Sequence, residues 1–107
     1  MSPVKGTIID KIVDVIIKSA DPDKVILFGS RAREDYGRGS DYDFMVVKKG
    51  VRNEREVSKR IYKALFAQKI KQAVDVIVVG AGKLRMKKNN PYLIYSWALR
   101  EGKVLYE

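Results

Sequence analysis

The sequence predicts an α/β (α+β) fold, in which a small mixed β-sheet of about three to five strands is flanked by helices. Short β-branched runs bounded by turn residues alternate with longer segments in which apolar residues recur at helical spacing. The length of 107 residues suits a single domain spanning residues 1–107. The apolar runs predicted as strands are Lys24–Phe28, Asp41–Val47 and Ala73–Val79.

Two amphipathic helices are predicted around these strands. The first, Thr7–Ser19, carries isoleucines at helical spacing with charged residues opposite, and the proline at position 22 cannot continue it. The second, Val51–Lys71, has one apolar face and an otherwise strongly basic surface. A shorter helical segment, Ser30–Asp35, and a glycine-rich loop over residues 37–40 connect the first two strands. The apolar face of the second helix is predicted to comprise Val57, Ile61, Ala64, Leu65 and Gln68.

The C-terminal part of the chain is predicted to begin with an irregular basic segment, Lys83–Lys88, that follows a glycine-rich turn. Asn90 and Pro91 suit the N-cap and first position of a last helix, which Gly102 ends. Lys103–Tyr106 is then predicted as an edge strand. The buried stripe of the last helix is predicted to comprise Leu93, Ile94, Trp97 and Ala98.

The composition restricts the available chemistry. The chain contains no cysteine and no histidine, which excludes Cys/His zinc sites, thiol nucleophiles and histidine acid–base catalysis. No apolar run approaches the roughly 18 residues of a membrane span, and the N-terminus has no signal-peptide hydrophobic region. We therefore expect a cytoplasmic protein without membrane contact, whose chemistry depends on carboxylates, hydroxyls and cations.

The formal charge of +9 is concentrated in the second part of the chain. Residues 1–44 carry 7 basic and 8 acidic side chains, whereas residues 45–107 carry 15 and 5. Clustered positive charge attracts polyanions, so a nucleotide, a nucleic acid or an acidic protein surface is an expected partner. For any single lysine, a solvated lysine-rich surface is the favoured explanation.

Gly29 and Ser30 follow a buried strand and precede a helical segment. Glycine lets the backbone turn sharply and approach a ligand, and the free N–H groups at a helix start can hold a phosphate together with a serine hydroxyl. Without the rest of the site, the pair would be an ordinary strand–turn–helix junction with Ser30 as N-cap. The glycine spacing matches neither a Walker A loop nor a dinucleotide-binding fingerprint.

Three aspartates are predicted to converge near this turn. Asp41 and Asp43 lie on one face of their strand because side chains alternate, and Asp75 lies in an otherwise apolar strand, where an isolated charge is costly. Carboxylates without histidine suit two Mg²⁺ ions, with Mn²⁺ as the alternative. Arg31 or Arg33 would add charge at the phosphates, or would instead lie at the surface or pair with Asp75.

At these residues the chain resembles the minimal nucleotidyltransferases of the DNA polymerase β-like superfamily. Their pattern is an apolar strand, Gly-Ser, about ten residues and Asp-x-Asp, with a third acidic residue on a later strand. The resemblance implies that Asp41 and Asp43 bind the metals, that Asp75 is a further ligand and activates the acceptor, and that Gly29–Ser30 cradles the triphosphate. Glu34 departs from the glycine that is common in these small proteins, without removing a catalytic group.

The resemblance also implies an activity and a partner. Members of this group are often antitoxins encoded beside a HEPN-type ribonuclease, which they restrain by binding and by adding AMP to a tyrosine. We therefore expect a Mg²⁺-dependent adenylyltransferase that uses ATP and modifies a protein hydroxyl. A non-catalytic antitoxin that acts by occlusion and a nucleic-acid-binding module remain open, as do the base preference, the acceptor and the oligomeric state.

Overall fold

A computed structural model describes residues 7–33, 41–87 and 94–107. Helices and strands alternate over most of the chain, as predicted. Among the described residues, no helix is both long and apolar enough to cross a membrane. In chain order the elements are α1 Ile8–Ala20, β1 Lys24–Phe28, α2 Ser30–Arg33, β2 Tyr42–Lys48, α3 Glu54–Ala67, β3 Val74–Gly80, α4 Ala81–Lys87, α5 Ile94–Glu101 and β4 Lys103–Tyr106.

The strands form one mixed four-stranded sheet in the order β3-β2-β1-β4. β1 pairs antiparallel with both β2 and β4, and β2 pairs parallel with β3. The parallel pair is joined by α3, as a parallel crossover requires. This arrangement confirms the predicted fold class. It also confirms Lys103–Tyr106 as an edge strand and leaves β3 as the opposite edge.

Two apolar layers cover the two faces of the sheet. The first lies beneath α1 and α3 and includes Phe44, which is fully buried, and Tyr42. The second lies beneath α4 and α5 and includes Met45 and Val47 from the alternate positions of β2. The predicted alternation of side chains along this strand is therefore confirmed, because Tyr42 and Phe44 share the first layer while Asp43 shares its face with the second.

α3 is shorter than the predicted helix over Val51–Lys71. It begins after Asn53, whose side chain accepts a hydrogen bond from the Glu56 N–H, and it ends at Ala67. Lys69 adopts a left-handed φ of 59°, which stops the helix. Val57, Ile61 and Leu65 are buried as predicted and Ala64 is half-buried, whereas Gln68 lies beyond the helix and is exposed.

α4 corrects the prediction of an irregular segment over Lys83–Lys88, because residues 81–87 form a helix. The predicted glycine-rich turn is replaced by the end of β3 and the first turn of α4. Six of the seven residues of α4 are strong helix formers, with Gly82 as the exception, and Leu84 is buried in the second apolar layer, which fixes the helix against the sheet. The predicted cap at Asn90 and Pro91 lies outside the described residues. Ala98 of α5 is buried as predicted.

Candidate active site

A tight turn at Gly29 connects β1 to α2. Gly29 has a φ of +75°, a left-handed conformation that disfavours other residues, and its carbonyl accepts a hydrogen bond of 3.1 Å from the Ala32 N–H. A Cβ atom at Gly29 would overlap the carboxylate of Asp43. Glycine is therefore required here for the turn and for the close approach of this aspartate.

Asp43 lies near the start of β2, directly opposite Phe28 of β1. It is partly buried and projects from the face of the sheet that carries Met45 and Val47. The antiparallel pairing thus brings the end of β1 and the first half of β2 together. The result is a carboxylate that lies against the backbone of the Gly29 turn.

Asp75 occupies the same register position on β3 as Asp43 does on β2. Because these strands are parallel, the two side chains project from the same face at adjacent positions. Asp75 is nevertheless exposed, so the prediction that it sits in an apolar environment was wrong. The reason is topological, since β3 is at the edge of the four-stranded sheet and, among the described strands, pairs with β2 alone.

The charges of these aspartates affect one another. Burial raises the pKa of Asp43 above the ordinary aspartate value, and the negative charges of Asp75 and then Asp41 raise it further. A side-chain hydrogen bond with Asp75 contributes in the same direction. Such a bond between two carboxyl groups requires one of them to carry a proton. The pair therefore favours a proton, or a cation in its place.

The donor set fits a divalent cation that is only partly held by protein. Within residues 7–33, 41–87 and 94–107, no group of three or more acidic side chains is arranged to hold a metal ion. Asp43 and Asp75 form the close pair, and the exposed Asp41 adds its charge. Magnesium commonly binds through one or two carboxylates, with water and substrate phosphates at the other positions. Two neighbouring carboxylates suit that mode of binding.

Arg31 of α2 contacts the ring of Tyr42. Its guanidinium carbon is 4.0 Å from the centre of the Tyr42 ring, a cation–π contact, and that ring belongs to the opposite face of β2 from Asp43. The contact joins α2 to β2. Residue patterns gave no sign of Tyr42 in this role, because any large apolar side chain suits its buried position. The side chains of Ser30 and Arg33, two further predicted phosphate-binding residues, lie outside the described part of the chain.

A solved structure from Sulfolobus solfataricus, described as a nucleotidyltransferase, has the same fold. The two chains superpose with a TM-score of 0.60 and are 26% identical, over 91% of this chain and 75% of the other. No curated protein matches the chain significantly.

Two toxin–antitoxin structures also share the fold. One is a mutant of the MntA–HpeT pair with two Asp-to-Glu substitutions, with a TM-score of 0.63 and 18% identity over 91% of this chain and 70% of the other. The second, a toxin–antitoxin with AMP-PNP, gives a TM-score of 0.58 and 19% identity over 90% and 71%. At these identities the comparison shows the fold alone.

The sequence itself determines the family. The family described as "Polymerase beta, Nucleotidyltransferase" matches residues 10–107, which includes the Gly29 turn and all three aspartates. The match covers nearly the whole chain, and the mixed sheet is the fold expected of that family. This chain therefore belongs to the polymerase beta nucleotidyltransferase family.

Proposed function

We propose that this single domain is a Mg²⁺-dependent nucleotidyltransferase that transfers AMP from ATP to a hydroxyl group of a partner protein. The observation that carries the proposal is the carboxylate pair of Asp43 and Asp75, in register on parallel strands and adjacent to the Gly29 turn. A strand-to-helix turn with free N–H groups suits a phosphate, and paired carboxylates suit a divalent cation. Phosphoryl and nucleotidyl transfer need both groups side by side.

Each residue has a defined task in this proposal. The backbone of Gly29 and Ser30 holds the triphosphate, with Arg31 and Arg33 as sources of positive charge nearby. Asp41, Asp43 and Asp75 hold the cations, and Asp75 also accepts the proton of the attacking hydroxyl. Divalent cations, when bound, activate the attacking oxygen and stabilise the leaving pyrophosphate.

The structural neighbours support the choice of donor and partner. One is a toxin–antitoxin structure with AMP-PNP, an ATP analogue, and another carries two Asp-to-Glu substitutions in a toxin–antitoxin pair. We propose that this chain likewise uses ATP, and that its protein acceptor is a HEPN-type ribonuclease toxin. Modification of a toxin hydroxyl would make this chain an enzymatic antitoxin.

A binding antitoxin that acts by occlusion is the second candidate. The described residues include no ready-made group of three acidic side chains for a metal, and Asp75 is exposed at the sheet edge. Both observations suit a chain in which partner binding matters more than catalysis. This candidate predicts neutralisation of the toxin without nucleotide transfer.

The deciding experiment combines the purified chain, Mg²⁺ and ATP labelled at the α-phosphate with a candidate partner. That partner is the protein encoded by the adjacent gene of the same genome, identified by its co-purification with this chain. We expect label on the partner, and we expect Asp43→Asn and Asp75→Asn each to abolish it. Glu56→Gln, which removes an exposed charge on α3, is the matched control and should label normally. Parallel reactions with the other three nucleoside triphosphates measure the base preference.

The two candidates differ in the behaviour of these variants. Toxin neutralisation that persists in Asp43→Asn, with no label on the partner in any reaction, would favour occlusion. RNA affinity that falls steeply with salt and is unchanged by Asp43→Asn would contradict both candidates and favour a nucleic-acid-binding module.

A further inference from the structure

Side chains of α3 bind the outer edge of β3. Within the described part of the chain, β3 has a neighbouring strand only on the β2 side, so its outward N–H groups need other partners. The hydroxyl of Tyr62 accepts a hydrogen bond of 2.8 Å from the Val76 N–H. The carboxylate of Glu54 accepts one of 3.1 Å from the Gly80 N–H. The two acceptors stand where a fifth strand would otherwise pair.

The Tyr62 bond acts on the peptide group that follows Asp75. The Val76 N–H and the Asp75 carbonyl belong to the same planar unit, so fixing one fixes the orientation of the other. That unit is attached directly to the Asp75 Cα atom. A hydroxyl on the outer edge therefore sets the direction in which the Asp75 side chain leaves the strand.

Asp75 needs such support more than Asp43 does. Asp43 lies on a central strand with paired neighbours on both sides, whereas Asp75 is exposed on an edge strand. The Tyr62 hydroxyl supplies a contact on that outer side, through the Val76 N–H, and so restrains the backbone to which the Asp75 side chain is attached.

We infer that Tyr62 is a positioning residue for Asp75, which it holds through the Val76 N–H at the spacing that a shared cation requires. Its part in catalysis rests on the proposed function, but its effect on Asp75 does not. Tyr62 is 41% exposed, so its hydroxyl can be removed with little effect on the core. Outer-shell partners of this kind tune metal affinity without touching the metal.

Tyr62→Phe tests the inference in the metal-free protein, because it keeps the ring and removes only the acceptor. We expect hydrogen exchange at the Val76 amide to become about fivefold faster, the effect of losing one modest hydrogen bond. We also expect the ¹³C chemical shift of the Asp75 carboxyl to move. Tyr106→Phe, which removes a hydroxyl on the opposite edge strand, is the control and should change neither. An unchanged Val76 exchange rate or Asp75 shift in Tyr62→Phe would overturn the inference.

A second experiment measures Mn²⁺ affinity from the paramagnetic broadening of NMR signals and so tests the effect of Tyr62 on metal binding. We expect Tyr62→Phe to weaken Mn²⁺ affinity about threefold to tenfold and Tyr106→Phe to leave it unchanged. In the transfer reaction, the half-saturating Mg²⁺ concentration should rise while kcat at saturating Mg²⁺ stays near that of the unaltered protein. A purely structural role would lower the melting temperature without this shift, and that result would overturn the inference. An unaltered chain that binds no Mn²⁺ would contradict the proposed function, while the two metal-free measurements would still decide the role of Tyr62.

Discussion

Asp43 and Asp75 occupy the same register position on neighbouring parallel strands, and the charge of Asp75 raises the pKa of Asp43. Two carboxylates so placed repel each other unless a proton or a cation lies between them. The folded protein thus holds one acidic proton more tightly than the unfolded chain does. Protonation and cation binding become competing ways to relieve the same repulsion.

The first prediction concerns stability and pH. The raised pKa of Asp43 means that its proton favours folding, and this contribution is lost as the pH rises from the ordinary aspartate value through the raised pKa. Asp43→Asn removes the repulsion, so we expect it to be more stable than the unaltered protein at neutral pH by about 0.5–1 kcal/mol. Urea unfolding from about pH 4 to pH 7 measures the difference, which should shrink in acid. A variant less stable than the unaltered protein at neutral pH would refute this account.

Binding of a divalent metal ion should stabilise the folded protein, because it relieves the repulsion between Asp43 and Asp75. Mg²⁺ or Mn²⁺ should raise the melting temperature of the unaltered protein, because a ligand that binds only the folded state stabilises it by about 2.7 kcal/mol at a hundred times its Kd. Asp43→Asn should lose this response, and Glu56→Gln should keep it. Thermal unfolding with and without metal gives the answer, and a full response from Asp43→Asn would place the metal elsewhere.

Gly29→Ala and Gly50→Ala form a matched pair. Both glycines have a left-handed φ, +75° and +70°, so alanine should cost each variant about 1–3 kcal/mol of backbone strain. Only at Gly29 would the added methyl group also overlap Asp43, since the space around Gly50 is open. We therefore expect Gly29→Ala alone to lose the metal-dependent rise in melting temperature. Equal metal responses in the two variants would show that the contact with Asp43 is unimportant.

Alanine substitutions at Gly102 and Gly82 form a second pair, for which we expect opposite changes in the free energy of unfolding. A Cβ atom at Gly102 would overlap the Ala98 carbonyl and the Ile26 side chain and lie 3.0 Å from the Leu27 carbonyl, so Gly102→Ala should destabilise the fold by about 1–3 kcal/mol. A Cβ at Gly82 meets only the Arg85 guanidinium at 4.0 Å, and Gly82→Ala should stabilise α4 by about 0.5–1 kcal/mol. Urea midpoints measure both, and a neutral Gly102→Ala would contradict the packing between α5 and β1.

The sequence predicts the parts of this fold that are encoded locally. The alternation in β2 was sufficient to place Tyr42 and Phe44 on one face and Asp43 on the other. The strand Lys24–Phe28 and the turn at Gly29 follow from β-branched residues and a glycine in the same way. These features depend on residues that are close together in the sequence, so they can be predicted from one sequence alone.

Other features depend on which elements become neighbours in space. The exposure of Asp75 follows from the edge position of β3, and no local pattern indicates strand order. The end of α3 depends on the left-handed conformation of Lys69, and lysine is not a residue type that predicts such a turn. The position of α4 depends on the burial of Leu84. The Tyr62 bond to Val76 joins residues of two elements, so only the folded chain shows it.

The edge position of Asp75 has an evolutionary consequence. Gly29 and Asp43 lie against each other where β1 and β2 pair, whereas Asp75 is exposed on an edge strand, where replacement costs little stability. Under the proposed function, a single substitution at Asp75 would silence transfer while the fold and the turn at Gly29 persist. An enzyme and a purely binding descendant would then be separated by one mutational step.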